Sequence, residues 1–338
     1  VPAVAGVLLA LIFGAISSAR TDTLVQVAAF NLNSRGAERQ KLFASESYDA
    51  TAWEGLVQEF LAQAGRVAGR KVIATAIQRD DTAKAVQLLV WPEAAVAVDS
   101  NTRPKFLKQA EVTARNYKCA VAVAFYDTST TESVAALTGS GYSTATEYVR
   151  RRFASGMDDE IFRHQIVKPG VDAPQAVDTP FGKAGVILSL DANDFRNFAA
   201  ISGAGGNIVC VCGLDDKAVP QTSMPLLVFN AALSGLSVVR SAHNGQLAAI
   251  DPDGKIIAGE ATMEKMDTQM MVSLPLGAGS TLFLTVGNGF AWLALLVGVG
   301  AGLYASSLPP GSEEPGGAKQ PRMTSALSYK TKEGIKEV

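Results

Sequence analysis

Residues 1–19 carry no charge, and no charged residue stands between Asp267 and Glu313, so this 338-residue chain is bounded by two apolar blocks. A helix rising about 1.5 Å per residue over the first block spans roughly 28 Å, close to the ~30 Å hydrocarbon core of a bilayer. The second block, LFLTVGNGFAWLALLVGVGAGLYA from Leu282 to Ala305, would reach roughly 36 Å as a helix, enough to cross with tilt. Trp292 falls mid-span and Tyr304 where an interfacial aromatic belongs, while Gly298, Gly300 and Gly302 offer a small-residue face to another helix. Buried helices of water-soluble proteins rarely run this long without a charge. Transmembrane helices are therefore expected over 1–19 and 281–305.

The small-residue run Gly14–Ala19 also suits the cleavage region of a leader. Because the chain opens on Val, residues 1–19 are expected to be the last helix of a longer membrane region. Residues 306–338, with Pro309-Pro310-Gly311 and Pro315-Gly316-Gly317, are expected to form a polar, disordered tail. The segment between the anchors, 21–275, is then an extramembrane domain whose ends meet the same membrane face. The expected location is an integral membrane protein with this domain on the extracytoplasmic side.

Composition narrows the function classes. With 48% hydrophobic and 18% charged residues the chain is not intrinsically disordered. A net charge of −2 leaves no cationic excess for phosphate backbones, so no nucleic-acid partner is expected. Three cysteines cannot build a disulfide framework, and with two histidines no spacing resembles a metal site. Neither metal nor cofactor is expected.

Between the anchors, apolar runs alternate with helical periodicity. Leu24–Phe30, Val86–Trp91, Ala120–Phe125, Ala184–Leu190, Asn207–Val211, Ser237–Ser241, Gln246–Ile250 and Lys255–Ala258 suit strands. Asp49–Val67, Arg103–Tyr117 and Pro225–Leu233 suit helices, and Asp251-Pro252-Asp253-Gly254 suits a hairpin turn. The alternation predicts an α/β fold.

Functional residues of open α/β sheets sit where strands end. Trp91-Pro92-Glu93 is such a place, and a half-buried Glu93 with a raised pKa would serve as a general base. A structural carboxylate salt-bridged in a loop is the alternative for that tripeptide alone. Cys210 and Cys212 share one side of a strand and, like Cys119, suit small buried hydrophobes, although a displaced nucleophile on that strand is conceivable. His243 suits a turn position rather than a catalyst.

In order along the chain, Val25–Asn33, Leu88–Glu93, Thr179–Asp191, Asn207–Val211 and Arg240–Gly254 resemble the nitrilase (carbon–nitrogen hydrolase) superfamily. Within it they are most similar to the apolipoprotein N-acyltransferases, membrane enzymes with a nitrilase domain between their last two membrane helices. The similarity is strongest at VWPE (Val90–Glu93), TPFGKAGV (Thr179–Val186) and RSAHNGQLAAIDPDGKI (Arg240–Ile256). It implies a four-layer α-β-β-α sandwich flanked by transmembrane helices.

The resemblance also implies a Glu base, an oxyanion-stabilising Lys, and a Cys that takes an acyl chain from phospholipid and passes it to a lipoprotein amine. Glu93 falls on the base. The Cys position, after Gly185-Val186-Ile187-Leu188, falls on Ser189. Aligning Pro169-Gly170-Val171-Asp172 with a second acidic site makes Asp172 that acid and puts the Lys position on His164, with Lys168 nearby but out of register. Leu233 stands where the family has a Glu. A serine hydroxyl is far less acidic than a thiol. Two functions follow as expectations: acyl transfer to an amine through Ser189 with reduced or lost activity, or a non-catalytic scaffold or subunit of a membrane complex. Phospholipid and lipoprotein are the substrates implied if the site is active.

Overall fold

The computed structural model describes residues 20–45, 47–72, 84–139, 146–153, 167–215, 223–243, 245–261, 267–279, 281, 283–284 and 289–307. They belong to two units, a body within 1–287 and a C-terminal unit within 288–338.

The strands of the body are β1 (Arg20–Asn31), β2 (Lys71–Val72), β3 (Lys84–Ala85), β4 (Leu88–Val90), β5 (Val96–Val98), β6 (Ala120–Asp127), β7 (Glu132–Gly139) and β8 (Thr146–Val149). They continue with β9 (Ala176–Thr179), β10 (Gly182–Leu188), β11 (Ile208–Leu214), β12 (Ser237–His243), β13 (Gln246–Ile250), β14 (Ile256–Ala261) and β15 (Thr268–Gly277). Its helices are α1 (Gly36–Phe43), α2 (Ala50–Ala68), α3 (Arg103–Tyr117), α4 (Phe195–Gly203) and α5 (Ser223–Ser234). One sheet runs β15-β1-β4-β6-β7-β8 with β5 paired to β6, a second runs β14-β13-β12-β11-β10-β9, and β2 pairs β3.

Strand periodicity explains the layering. Val25, Val27 and Ala29 of β1 join a core shared with the second sheet, whereas Ala28 and Phe30 point into a core shared with α2 and α3. Buried on both faces, such strands read as continuous apolar runs. Helix α2 supplies Trp53, Leu56, Val57, Phe60 and Ala64 at helical spacing to that outer core. Its N-cap Asp49 accepts from the Thr51 and Ala52 amides, both at 3.0 Å. Helices α4 and α5 cover the second sheet. Gly185 on β10 sits so close to α4 that a Cβ there would come within 2.5 Å of Ile201 Cδ1. The result is a mixed α/β sandwich with two helical layers outside two sheets.

Strands β1 and β4 are parallel, as are β10, β11 and β12. The carboxyl ends of β4, β10 and β11 deliver Glu93, Ser189 and Leu214 to one end of the sandwich. At the other end Arg20 of β1 pairs with Gly277 of antiparallel β15. The first ten residues of the charge-free stretch after Asp267 are thus a paired strand, with Met270, Val272, Leu274 and Leu276 in the inner core.

The C-terminal flank departs from expectation. Among the described residues no helix is long and apolar enough to cross a membrane. Where the sequence predicts a span over 281–305, a 19-residue helix, α6, runs from Gly289 to Ser307. Its Trp292, Leu296, Leu303 and Tyr304 are exposed. Residues 1–19 and the tail 308–338 lie outside the described residues.

Candidate active site

Glu93 is fully buried one turn past β4, and its own amide donates to the Gly213 carbonyl at 3.2 Å, bridging the ends of the two sheets. Ala94, next to it, has φ +48°, a left-handed backbone that a Cβ disfavours by about 1 kcal/mol and that clusters at functional sites. Ser133 Oγ donates to Glu93 Oε1 at 2.6 Å, and Arg150 Nη1 donates to the same oxygen at 3.1 Å. Ser189 Oγ donates to Oε2. The carboxylate is thus fixed from three sides. Burial pushes its pKa up, opposed by the Arg150 charge and by the two serine hydroxyls.

Ser189 is carried on a short 3-10 turn, Ser189–Asn193, that opens as β10 ends. Its φ of +33° is the second strained backbone in the site. The Leu214 amide, at the end of β11, donates to Ser189 Oγ at 2.7 Å. This hydroxyl therefore sits between a backbone N–H and a buried carboxylate, the nucleophile–base contact that covalent catalysis requires.

The cation is Arg150, just past β8. It is 1% exposed, its Nε donates to the Arg152 carbonyl at 2.8 Å, and its guanidinium stacks 4.3 Å from the Phe153 ring centre. Sequence reasoning missed this residue. The available signal was the Arg150-Arg151-Arg152 run directly after an aromatic-containing strand.

Asp191, two residues beyond Ser189, is a second buried carboxylate that sequence reasoning also missed. Its Oδ2 accepts from Tyr148 Oη at 2.8 Å and from the Arg151 amide at 2.7 Å, while its Oδ1 is buried with no partner among the described residues. Burial pushes the Asp191 pKa up. The Tyr148 hydroxyl is pushed up by burial first and by the neighbouring carboxylate second.

Of the residues singled out from sequence, the structure brings Glu93 and Ser189 together. Lys168 is exposed and 3.7 Å from Glu132, and Asp172 is exposed on the surface. Neither sits with Glu93. His164 lies outside the described residues. Cys210 and Cys212 are buried inside β11, where burial pushes the Cys210 thiol up to about 12 and Cys212 in the same direction. His243 ends β12 against Arg39, 2.6 Å from Nη1, and burial with that cation holds it well below the usual imidazole range. Leu233 lies within α5. Among the described residues no cluster of His, Cys, Asp and Glu could hold a metal.

No protein-family model matches the sequence, and no curated protein matches it. Solved structures do. An amidase from Nesterenkonia sp. superposes with a TM-score of 0.53 at 14% identity, over 75% of this chain and 92% of that one. A cysteine-to-serine variant of the Nesterenkonia AN1 amidase, of the nitrilase superfamily, gives 0.51 at 14% identity, over 74% and 92%. A third structure, carrying the acetamide moiety of fluoroacetamide on the active-site cysteine, gives 0.55 at 14%, over 76% and 92%. The fold is that of the nitrilase superfamily. A nitrilase fold positions chemistry but does not guarantee it, because function resides in the site rather than the scaffold.

Proposed function

We propose that this chain is a membrane-tethered protein of nitrilase fold whose former amide-handling site is locked, so that it serves as a scaffold or subunit of a membrane complex. The observation that carries this reading is the state of Glu93. Both of its oxygens are engaged, one by Arg150 and Ser133, the other by Ser189. Burial raises the Glu93 pKa, but the carboxylate is held on both oxygens and paired with an arginine that cannot give up its charge, and the hydroxyl it faces is far less acidic than a thiol. A thiol ionises near pH ~8.5, and a serine hydroxyl does not approach that. Losing a nucleophile costs many orders of magnitude in rate.

Tethering is supported by the two charge-free blocks, and by the exposed Trp292, Leu295, Leu296, Val297, Val299, Leu303 and Tyr304 of α6. A helix apolar on all sides needs a nonaqueous neighbour. The side proposed for the body is extracytoplasmic, because the tail's five Lys/Arg against four Asp/Glu favour the cytoplasm for residues 306–338.

One observation favours a second reading, residual acyl transfer to an amine in the manner of the apolipoprotein N-acyltransferases, with phospholipid as donor and a lipoprotein as acceptor. Ser189 keeps the strained φ and the carboxylate contact of an activated nucleophile. The full chain in neutral detergent, incubated with a fluorophosphonate probe and weighed intact, separates the two. An unlabelled protein is expected. A Ser189 adduct that vanishes in Ser189→Ala would establish the enzyme and end the scaffold reading.

A further inference from the structure

The two outer helical layers of the body present opposite surfaces. The exposed side of α2 and α3 carries ion pairs: Lys105 with Glu54 at 3.3 Å, Lys108 with Glu111 at 3.0 Å, and Arg115 with Glu111. Helix α5, SMPLLVFNAALS, holds no charge. Its polar side chains Asn230 and Ser234 are turned inward, where Asn230 Nδ2 donates to the Ala192 carbonyl at 2.9 Å and Ser234 Oγ to the Asn230 carbonyl at 2.6 Å. Pro225, Leu226, Phe229 and Ala232 face outward instead, with Leu226 43% and Phe229 60% exposed. A surface helix in water shows the reverse pattern, so this face is built for a nonaqueous neighbour.

The chain leaves the body across the same layer. After β15 the Gly279 amide donates to the Gly235 carbonyl at 3.2 Å, and Ser202 Oγ donates to the Gly279 carbonyl. Gly279 has φ +67°, and a Cβ there would lie 2.1 Å from the Gly206 carbonyl oxygen, so the segment is seated on bare backbone at the carboxyl ends of α4 and α5. Thr281 Oγ1 donates to the Leu233 carbonyl at 2.5 Å. Phe283, itself 41% exposed, packs against Phe195 of α4 with ring centres 5.4 Å apart. Only the uncharged residues 284–288 then precede Gly289, where α6 begins. Fully extended, that stretch of chain reaches at most about 21 Å.

We infer that the outer face of α5, with Phe283 beside it, rests on the headgroup–acyl boundary of a lipid bilayer. The inference rests on the membrane tethering proposed above and adds which side of the body meets the lipid. A body held on so short a leash by a lipid-embedded α6 is held by its α4–α5 layer, and that layer bears the uncharged, apolar helix. The charged neighbours sit at the rim: Arg196 on α4, and Asp253 and Lys255 on the β13–β14 hairpin, whose Gly254 abuts the Val228 carbonyl of α5. The attraction is therefore hydrophobic, and neutral phosphatidylcholine is the lipid class it fits.

The test uses the full chain reconstituted into phosphatidylcholine vesicles. All three native cysteines are buried, so a bimane label reports on one introduced thiol at a time. The positions are Leu226→Cys and Phe229→Cys on α5, Val112→Cys on the exposed side of α3, and Leu296→Cys on α6. Replacing the host lipid by brominated phosphatidylcholine quenches labels that touch lipid. Leu226→Cys and Phe229→Cys are expected to lose about twofold or more of their emission relative to Val112→Cys, and more to bromine near the headgroup than near the chain end, because an interfacial helix enters only about 5–10 Å. Leu296→Cys reports the tether alone and is expected to be quenched as well. Quenching at Leu296→Cys without quenching at either α5 position would overturn the docking and leave the tether standing. No quenching at any position, Leu296→Cys included, would overturn both. Equal quenching at Val112→Cys and Phe229→Cys, or a Phe229→Cys label shielded from aqueous iodide yet blind to brominated lipid, would overturn the docking too, the latter by placing a second copy of the chain on this face.

Discussion

Glu93 and Arg150 are 0% and 1% exposed at the side chain and 3.1 Å apart, so neither has water to fall back on when its partner is removed. The two removals are not equivalent. In Glu93→Gln the serine hydroxyls keep a partner but Arg150 keeps a charge it cannot shed, and removing one member of a buried ion pair costs about 3–5 kcal/mol. In Arg150→Met the remaining carboxylate can take up a proton, a change that burial already favours. That variant should therefore lose less, about 1–3 kcal/mol, part of it from the lost stacking on Phe153. For a body of this size ~1 kcal/mol shifts Tm by about 2–4 °C, so Glu93→Gln should lower it by roughly 6–20 °C. The pH dependence adds a sign. A carboxyl whose folded pKa is raised holds more protons folded than unfolded, so Arg150→Met is most stable below the ordinary carboxylate pKa. It loses stability as pH rises through the folded value. Thermal and urea unfolding followed by the fluorescence of buried Trp53 and Trp91 reads all of this. Equal losses in the two variants at neutral pH, or an Arg150→Met cost that shrinks with rising pH, would refute the reasoning.

Three further outcomes follow. Removing the phenol in Tyr148→Phe leaves the buried Asp191 Oδ2 short of a donor and should cost about 1–3 kcal/mol in urea unfolding; a loss below about 0.5 kcal/mol would mean the bond contributes nothing. The native thiols should be inert to a disulfide reagent at neutral pH and react only in denaturant, because burial pushes Cys119 and Cys210 up to about 12. Against that silent background, Ser189→Cys combined with Arg150→Lys should acquire one acrylamide adduct by intact mass. A doubly substituted chain that stays unmodified would show that more than these two side chains locks the site.

Glu93 was legible because it follows an apolar run long enough to read as a strand, and strand ends are where a sandwich of parallel strands collects side chains, whereas Ser189 was reached through the resemblance, as the residue after Gly185-Val186-Ile187-Leu188. The cation was not. It follows β8, four residues reading TEYV, too short and too polar for periodicity to find. Counting back from Pro169-Gly170-Val171-Asp172 instead led to His164 and Lys168, across a segment whose length nothing in the sequence fixes. Asp191 was hidden differently. Its turn begins with a left-handed Ser189, a conformation no serine announces. β15 was missed because its lack of charge was absorbed into the apolar flank. Ten uncharged residues with alternate burial describe an inner strand as well as they describe the approach to a bilayer.

The pairing of Arg20 with Gly277 gives the body an unusual freedom. Its two ends abut at about the spacing of neighbouring strands, ~5 Å, so the whole sandwich is a cassette on a two-stranded stem. Such a cassette can be grafted into a surface loop of a carrier protein without stretching either backbone, since the host sees only a short gap between its own ends. By the same logic, a short linker joining the stem strands should permit the chain to be reopened elsewhere, yielding a circularly permuted form with both apolar flanks removed.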